Sequence, residues 1–208
     1  MAAKKQTEQV VELIPIRIQE FEVGIRGISP LIVHRFSEKA KKQIEDKQQK
    51  KTKEAKAARD PHEEFISSLY VMPGSVAGVE GAEYGIPAIW FKQAAIYACT
   101  YVDSITKVSV RGAFHILADD GGLVRLDYAR LRMREDYVTI GMGTRDIRYR
   151  GEFSDWSTRL RIRYNAAALT PEQIVNLLNI GGFSSGLGEM RPSQQCSDQY
   201  GMYEVELS

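Results

Sequence analysis

The chain has 208 residues, of which 43% are hydrophobic and 26% charged, as is ordinary for a globular domain. No apolar run is long enough to cross a membrane, the polar residues 1–9 lack the apolar core of a signal peptide, and the net charge of +1 does not by itself indicate a nucleic-acid-binding protein. A secreted domain of this size usually has more cysteines than Cys99 and Cys196, so we expect two free thiols in a reducing cytoplasm.

The basic residues are segregated by type along the chain. Between Glu38 and Arg59 they are nearly all lysine, whereas from Arg125 to Arg163 all ten are arginine. The planar guanidinium group presents a fork of donors that suits phosphate, so the second segment is a candidate for nucleic-acid binding. The alternative is that both segments are solvated surfaces balanced by nearby acids such as Glu45 and Asp136.

The first half of the chain predicts a strand followed by a polar insertion. The predicted elements are a disordered tail at 1–9, a strand at Ile16–Ile28, a short apolar stretch at Leu31–Val33, a helix at Ser37–Arg59, a second helix at His62–Tyr70 and a glycine-rich segment at Pro73–Gly85 that forms either a flexible loop or a hairpin. The Ser37–Arg59 helix has too few apolar residues to bury a wide face. It should therefore project into solvent or lie on a partner.

The second half predicts alternating helices and strands. The predicted elements are a buried helix at Ile89–Val102, strands at Val108–Leu117 and Gly122–Leu126, an irregular segment at 128–157, a strand at Thr158–Tyr164, a helix that begins after Thr170 and ends at Gly181-Gly182, and a closing strand at Tyr200–Leu207. In TRLRIRY the apolar and arginine residues alternate, which is typical of a strand with one buried face. Thr170 and Gln173 have the spacing of a capping box.

Without its insertions, this order is βαββαβ, which predicts an α+β protein of the ferredoxin-like type. We expect a single domain over 10–208, with a helical insertion at about 37–85 and an arginine-rich insertion at about 128–157. The two helices should cover one face of a four-stranded antiparallel sheet. The other face should be open or covered by the insertions.

The sequence offers little for catalysis. Its three histidines and two cysteines have no metal-ligand spacing, and no nucleophile, protease or nucleotide motif is present, so we expect no cofactor and no metal. His34, beside Arg35, could act as a general acid or base in cleavage of a phosphodiester. A structural or phosphate-contacting histidine is the favoured interpretation, and the protein is predicted not to be an enzyme.

The segment GGFSSGLGEMRP at 181–192 is the most informative. Glycines such as Gly186 and Gly188 allow the backbone to approach a ligand closely and to present successive N–H groups to an anion. Ser184, Ser185 and Arg191 would add donors for phosphate oxygens. A glycine-rich helix terminator without a ligand is the alternative.

A βαββαβ domain that ends in a helix, a glycine-rich loop and a strand resembles the RAMP superfamily, the RNA-binding proteins of CRISPR systems. The stretch GFSSGLGEMRP…YGMYEVE resembles their C-terminal glycine-rich signature, and the two insertions resemble those of the backbone subunits that polymerise along a guide RNA. The stretches MREDYVTIGMG and RYRGEFSDW also resemble phage and prophage proteins of similar size. The chain departs from the RAMP pattern at Ser193–Gln199, where a second glycine pair is missing.

The resemblance implies that Ser184, Ser185, Gly186, Gly188 and Arg191 form an RNA-facing loop, with His34 and Arg35 close to it. Independently of the resemblance, the arginine-rich segment alternates with aromatic residues, a composition that suits single-stranded nucleic acid because bases stack and phosphates pair. The arginines of the predicted strand, Arg159, Arg161 and Arg163, belong to this candidate site. For Phe153 and Trp156 we expect a place in the core instead.

The leading hypothesis is a non-catalytic protein that binds RNA or single-stranded DNA and multimerises along the strand, in the cytoplasm or, if phage-encoded, in that of the host. The lysine-rich helix or the Pro73–Gly85 loop would contact the next protomer. The alternatives are a phage assembly protein that self-associates without nucleic acid, and a RAMP-like endoribonuclease that uses His34. We expect no membrane partner.

Overall fold

The computed structural model describes residues 15–36, 41–42, 45–46, 48–49, 59–140, 143–192 and 196–206. The strands are β1 (Ile18–Gly27), β2 (Leu31–Val33), β3 (Gly85–Pro87), β4 (Phe114–Leu117), β5 (Leu123–Arg125), β6 (Arg130–Ile140), β7 (Thr144–Ser154), β8 (Ser157–Asn165) and β9 (Tyr203–Glu206). The helices are α1 (Pro61–Ser67), α2 (Ala88–Ala98), α3 (Lys107–Ala113) and α4 (Pro171–Ser184), with a 3-10 turn at Cys99–Tyr101. Most of the predicted lysine-rich helix lies outside the described residues.

The larger sheet has the strand order β4-β8-β1-β9, and each pair of neighbours is antiparallel. In β8, Leu160 and Ile162 are fully buried, while the arginines that alternate with them, Arg159, Arg161 and Arg163, are exposed, as the alternation in the sequence predicts. One face of the sheet is therefore apolar and receives helices, and the other face is charged and open.

Helices α2 and α4 pack against each other and cover the apolar face. The predicted capping box is confirmed, because Thr170 accepts from the Gln173 amide and the Gln173 side chain accepts from the Thr170 amide. The predicted end of α4 at Gly181-Gly182 is wrong, since the helix continues to Ser184. A Cβ on Gly182 would lie 2.1 Å from the Tyr203 carbonyl oxygen, so this glycine permits close packing of α4 on β9.

The segment at 128–157 forms regular strands, so the prediction of an irregular insertion is wrong. β6 and β7 pair over eleven residues each as an antiparallel hairpin, and β7 also pairs with β2 to give the order β2-β7-β6. Phe153 at the base of this hairpin is fully buried. The hairpin is thus attached to the core at its base.

A second correction concerns the predicted strand at Val108–Leu117. Its first part is helix α3, whose N-cap Thr106 accepts from the Ser109 amide, and only Phe114–Leu117 is a strand. The next strand, β5, pairs with β3 and not with β4. Its turn with β4 is closed by a single bridge between Asp120 and Leu123.

The architecture confirms an α+β protein built on antiparallel sheets. Along the chain, the strands of the larger sheet and the two helices on it follow in the order β1, α2, β4, β8, α4, β9. Among the described residues, no helix is both long and apolar enough to cross a membrane.

Candidate nucleic-acid interface

One face of the β6–β7 hairpin concentrates arginine. In the antiparallel register, Arg132 stands opposite Glu152, and Arg134 stands opposite Arg150. Residues that stand directly opposite each other point to the same side of a sheet, so these side chains share one face. This surface, which we call the arginine face, consists of five arginines and three carboxylates: Arg130, Arg132, Arg134, Arg148, Arg150, Asp136, Asp146 and Glu152.

A continuous chain of ion pairs crosses the arginine face. Glu152 accepts from Arg132 at 2.7 Å and from Arg134 at 3.0 Å. Arg134 also donates to Asp136 at 2.6 Å, and the second oxygen of that carboxylate accepts from Arg150 at 3.3 Å. The guanidinium groups of Arg132, Arg134 and Arg150 are therefore held in position by carboxylates before any ligand binds.

The carboxylates of this chain lie beneath the arginines. Glu152 is 1% exposed and Asp136 is 5% exposed, whereas 52% of the Arg132 side chain reaches solvent. Arg130, at the start of the row, is also exposed. A buried carboxylate needs a paired cation, so part of the arginine content serves the fold. The outer edge of the row remains accessible to an anionic ligand.

Arg134 and Arg150 connect the arginine face to the glycine-rich loop. Arg134 lies over the Tyr200 ring, with 4.6 Å between its guanidinium carbon and the ring centroid, and it also contacts the Met190 sulfur at 3.8 Å. Arg150 donates to Glu189 at 3.2 Å. Met190 and Glu189 of the loop, together with Tyr200, therefore hold Arg134 and Arg150 on this side of the face.

His34 belongs to this same group of side chains. Its Nδ1 accepts from the Arg150 Nε at 3.3 Å, and burial, followed by the charge of Arg150, lowers the pKa of His34. The neighbouring Arg35 is exposed, and its amide donates to the Ser68 carbonyl at 2.8 Å. The end of β2 and the glycine-rich loop are adjacent, since the Glu189 amide donates to the Ile32 carbonyl at 2.9 Å. The family resemblance implies the same adjacency for His34 and Arg35.

The two loop glycines are explained by contacts within the chain. Gly186 and Gly188 have φ values of +59° and +73°. A Cβ on Gly188 would lie 2.2 Å from the Ile32 carbonyl oxygen, and one on Gly186 would lie 3.0 Å from the Gly201 carbonyl oxygen. Close packing of the loop against β2 and the segment before β9 therefore explains both glycines without a ligand, and the approach of a phosphate to them stays a prediction.

The remaining polar residues of the loop also have partners in the chain. Ser184 donates to the Ile180 carbonyl at 2.6 Å, inside the last turn of α4. Ser185 is buried, and its hydroxyl oxygen accepts from the Arg191 guanidinium at 2.9 Å. Arg191 is exposed and lies beside the loop, so it is the member of this group with a cationic surface that a ligand can reach.

The open face of the larger sheet provides a contrast with the arginine face. On β1, β8 and β9 it carries four arginines and four glutamates, namely Arg26, Arg159, Arg161, Arg163, Glu20, Glu22, Glu204 and Glu206. Arg163 donates to Glu20 at 2.7 Å, Arg159 lies 3.9 Å from Glu22, and Arg161 lies 3.9 Å from Asp119. The surroundings of the three predicted binding arginines are therefore balanced in charge and favour a ligand less than the arginine face does.

The aromatic residues of the arginine-rich segment divide between core and surface. Phe153 and Trp156 are buried, as the sequence predicts, and the Trp156 indole donates to the Ser29 carbonyl at 2.8 Å. Tyr137, in the distal half of β6, is 74% exposed and on the opposite face from Arg132. Tyr200, which no part of the sequence argument assigned to the site, is an aromatic residue in contact with Arg134 of the arginine face.

Sequence reasoning therefore missed the individual members of the arginine face. The signal was present in RLRMRED, where arginines at every second position indicate a strand with one charged face. The buried partners Asp136 and Glu152 carry no comparable signal. Their role depends on pairing across the hairpin.

No metal centre is indicated within the described ranges, where no group of three or more His, Cys, Asp or Glu side chains could hold a metal ion. No protein-family model matches the chain, and no curated protein matches it either. Among solved structures, it is similar to the crystal structure of Cmr6 from Pyrococcus furiosus, with 11% sequence identity and a TM-score of 0.41, over 92% of this chain and 100% of that chain. A similarity this distant assigns neither a family nor a function.

Proposed function

We propose that the protein binds RNA or single-stranded DNA through the arginine face, without cleaving it. The observation that carries the proposal is the row of arginines held on one face by the buried carboxylates Asp136 and Glu152. Arginines outnumber carboxylates five to three on this face. Beside it, Arg35 and Arg191 add positive charge and Glu189, the partner of Arg150, adds one negative charge, so the excess stays positive. An excess of guanidinium groups over carboxylates supports binding of a polyanion.

The spacing of the row favours a polymer over a small anion. Alternate residues on a strand lie about 7 Å apart, so Arg130, Arg132 and Arg134 present a charge at each such step. A phosphodiester chain has a regular repeat of charge and can contact several of these groups at once. Contacts of this kind position a strand but read no bases, so we expect little sequence preference.

The surroundings of His34 support binding rather than catalysis. Its Nδ1 already accepts from Arg150, and a protonated imidazolium would face that guanidinium. The lowered pKa leaves His34 neutral at pH 7, with its remaining proton on Nε2. In this state it can donate to a phosphate oxygen, as the sequence-based hypothesis proposes. Cleavage of a phosphodiester would need both a general acid and a general base, and this ring has no free lone pair with which to act as the base.

Multimerisation along the strand is the second part of the proposal. Val76 and Val79 are exposed apolar residues in the glycine-rich loop before β3, and they support a contact with the next protomer. The same observation favours the rival function, a phage assembly protein that self-associates without nucleic acid. From the sequence alone, we also propose that the protein is RAMP-like, that it is cytoplasmic and that a phage encodes it.

The test is a binding titration with fluorescently labelled RNA, single-stranded DNA and duplex DNA of one sequence, repeated at several salt concentrations. Arg130→Gln should weaken binding and reduce the slope of log affinity against log salt by about 0.7, as for loss of one phosphate contact on a single strand. Arg161→Gln is the matched control, since it removes an arginine from the charge-balanced face.

The outcomes separate the rival functions. If the parent protein forms particles but binds no oligonucleotide at low salt, the assembly function replaces the proposal. Time-dependent scission of RNA that His34→Gln abolishes would establish an endoribonuclease. Equal losses in Arg130→Gln and Arg161→Gln would show that binding is not confined to the arginine face.

A further inference from the structure

A lysine is buried at the edge of the larger sheet, away from the elements that form the arginine face. Lys92 lies in α2, is only 9% exposed, and places its ammonium nitrogen 3.1 Å from the Nδ1 of His115 on β4. β4 is the terminal strand of its sheet, and His115 itself is exposed. The two side chains meet in a cleft of about 250 Å³.

Lys92 has no carboxylate partner in the described part of the chain. Its contact is an imidazole, and burial alone lowers the pKa of Lys92. Burial and the charge of Lys92 lower the pKa of His115 as well, so this ring is a poor counter-ion. A buried cation without a neighbouring anion is unfavourable, and lysines are rarely buried unless paired. The missing component of the cleft is negative charge.

The other walls of the cleft favour an anion. Ala88 and Ile89 form the first turn of α2, an eleven-residue helix whose N-cap is Pro87 and which has no side-chain cap. The N-terminal end of a helix carries partial positive charge. The Ala88 amide already donates to the Gly122 carbonyl at 3.0 Å, so the helix attracts an anion by this partial charge and by the amide of Ile89. Ile116 and Ala118 close the sides of the cleft with apolar surface, which strengthens electrostatic contacts inside it.

The volume limits the ligand to a small group. A bound water occupies about 30 Å³, so the cleft accommodates a tetrahedral oxyanion and a few waters but no folded partner. A phosphate has enough oxygens to accept from Lys92, from His115 and from the start of α2 together. Lysine serves commonly as a point charge for phosphate groups.

We propose that this cleft binds a phosphate group through Lys92, His115 and the first turn of α2. The phosphate comes either from the end of a nucleic-acid strand or from a small phosphorylated molecule. The proposal is independent of the arginine face, because the two sites share no residue.

The test uses the full chain and inorganic phosphate in isothermal titration calorimetry, with sulfate as a second probe. Lys92→Met should lower phosphate affinity by at least about tenfold, as for loss of a charged hydrogen bond. Lys107→Met is the matched control, since Lys107 is an exposed lysine of α3 that lies over the Tyr97 ring. A thermal melt of each variant checks the fold, and His115→Ala, at an exposed position, provides a second variant should Lys92→Met unfold.

Loss of phosphate binding in Lys92→Met or His115→Ala, with binding retained in Lys107→Met, supports the site. No binding by the parent at millimolar phosphate, or equal binding by parent and folded cleft variants, overturns it. Competition then identifies the source of the phosphate. If a 5′-phosphorylated oligonucleotide displaces inorganic phosphate and its 5′-hydroxyl form does not, the source is a strand end; if adenosine monophosphate alone displaces it, the source is a small molecule.

Discussion

Replacement of Gly188 by alanine tests whether the glycine-rich loop is structural. The residue has a φ of +73°, and an added Cβ would lie 2.2 Å from the Ile32 carbonyl oxygen. The left-handed conformation costs about 1–2 kcal/mol for a residue with a side chain. Moving the loop away from β2 would also weaken the hydrogen bond from the Glu189 amide to Ile32, which contributes about 1 kcal/mol. We expect Gly188→Ala to lower the free energy of unfolding by about 2–4 kcal/mol.

Gly81→Ala separates the conformational cost from the packing cost. Gly81 has a φ of +78°, close to that of Gly188, but an added Cβ would meet no atom within 4 Å. We therefore expect it to cost only about 1 kcal/mol in the same urea denaturation experiment. Equal losses in the two variants would show that the loop is not packed on β2. Close approach of a phosphate would then be the favoured explanation of Gly188.

Three further predictions concern the arginine face. Arg130→Gln should leave the melting temperature within about 1 °C of the parent while weakening oligonucleotide binding, because Arg130 is exposed; a large drop in melting temperature would contradict this. Glu152→Gln should lower the free energy of unfolding by about 2–4 kcal/mol, since it removes the buried counter-charge of two arginines; a loss below about 0.5 kcal/mol in urea denaturation would refute the buried ion-pair chain. The pKa of His34 is lowered in the folded protein, so the native state takes up fewer protons than the unfolded state, and stability should fall as the pH drops below about 6.5. His34→Gln retains an acceptor for Arg150 and should flatten this loss between pH 7 and 5; unchanged curves would show that His34 does not carry the pH dependence.

The parts of the fold that could be predicted are those specified by local sequence. The strand TRLRIRY follows from strict alternation, and the start of α4 follows from the capping box at Thr170 and Gln173. Both signals require only neighbouring residues. The β6–β7 hairpin could not be predicted in this way. Its charged residues have the composition of a solvated loop, and only the pairing of Arg132 with Glu152 across the two strands explains them.

Helix α3 and the packing of the glycine-rich loop could not be predicted, for two different physical reasons. In KVSVRGA the alternation of valines predicts a strand, but the Thr106 cap and burial of Val110 and Ala113 on one side favour helix α3. In the glycine-rich loop, a glycine indicates that another group lies close to the backbone, but the sequence does not show whether this group is a ligand or another part of the chain. Here the neighbour of Gly188 is the protein's own β2, a contact between residues more than 150 positions apart that the sequence does not reveal.

The loop and the arginine face are mechanically connected, and this predicts how their substitutions differ. The loop provides Met190 and Glu189, which contact Arg134 and Arg150. Displacing the loop by Gly188→Ala should therefore disturb the arginines, so stability and oligonucleotide affinity should fall together. Arg130→Gln removes one accessible charge without touching the loop, so affinity should fall alone. If Gly188→Ala loses stability but binds each oligonucleotide as the parent does, the glycine-rich loop does not position the arginine face, and the ligand is held by Arg130 and the outer row alone.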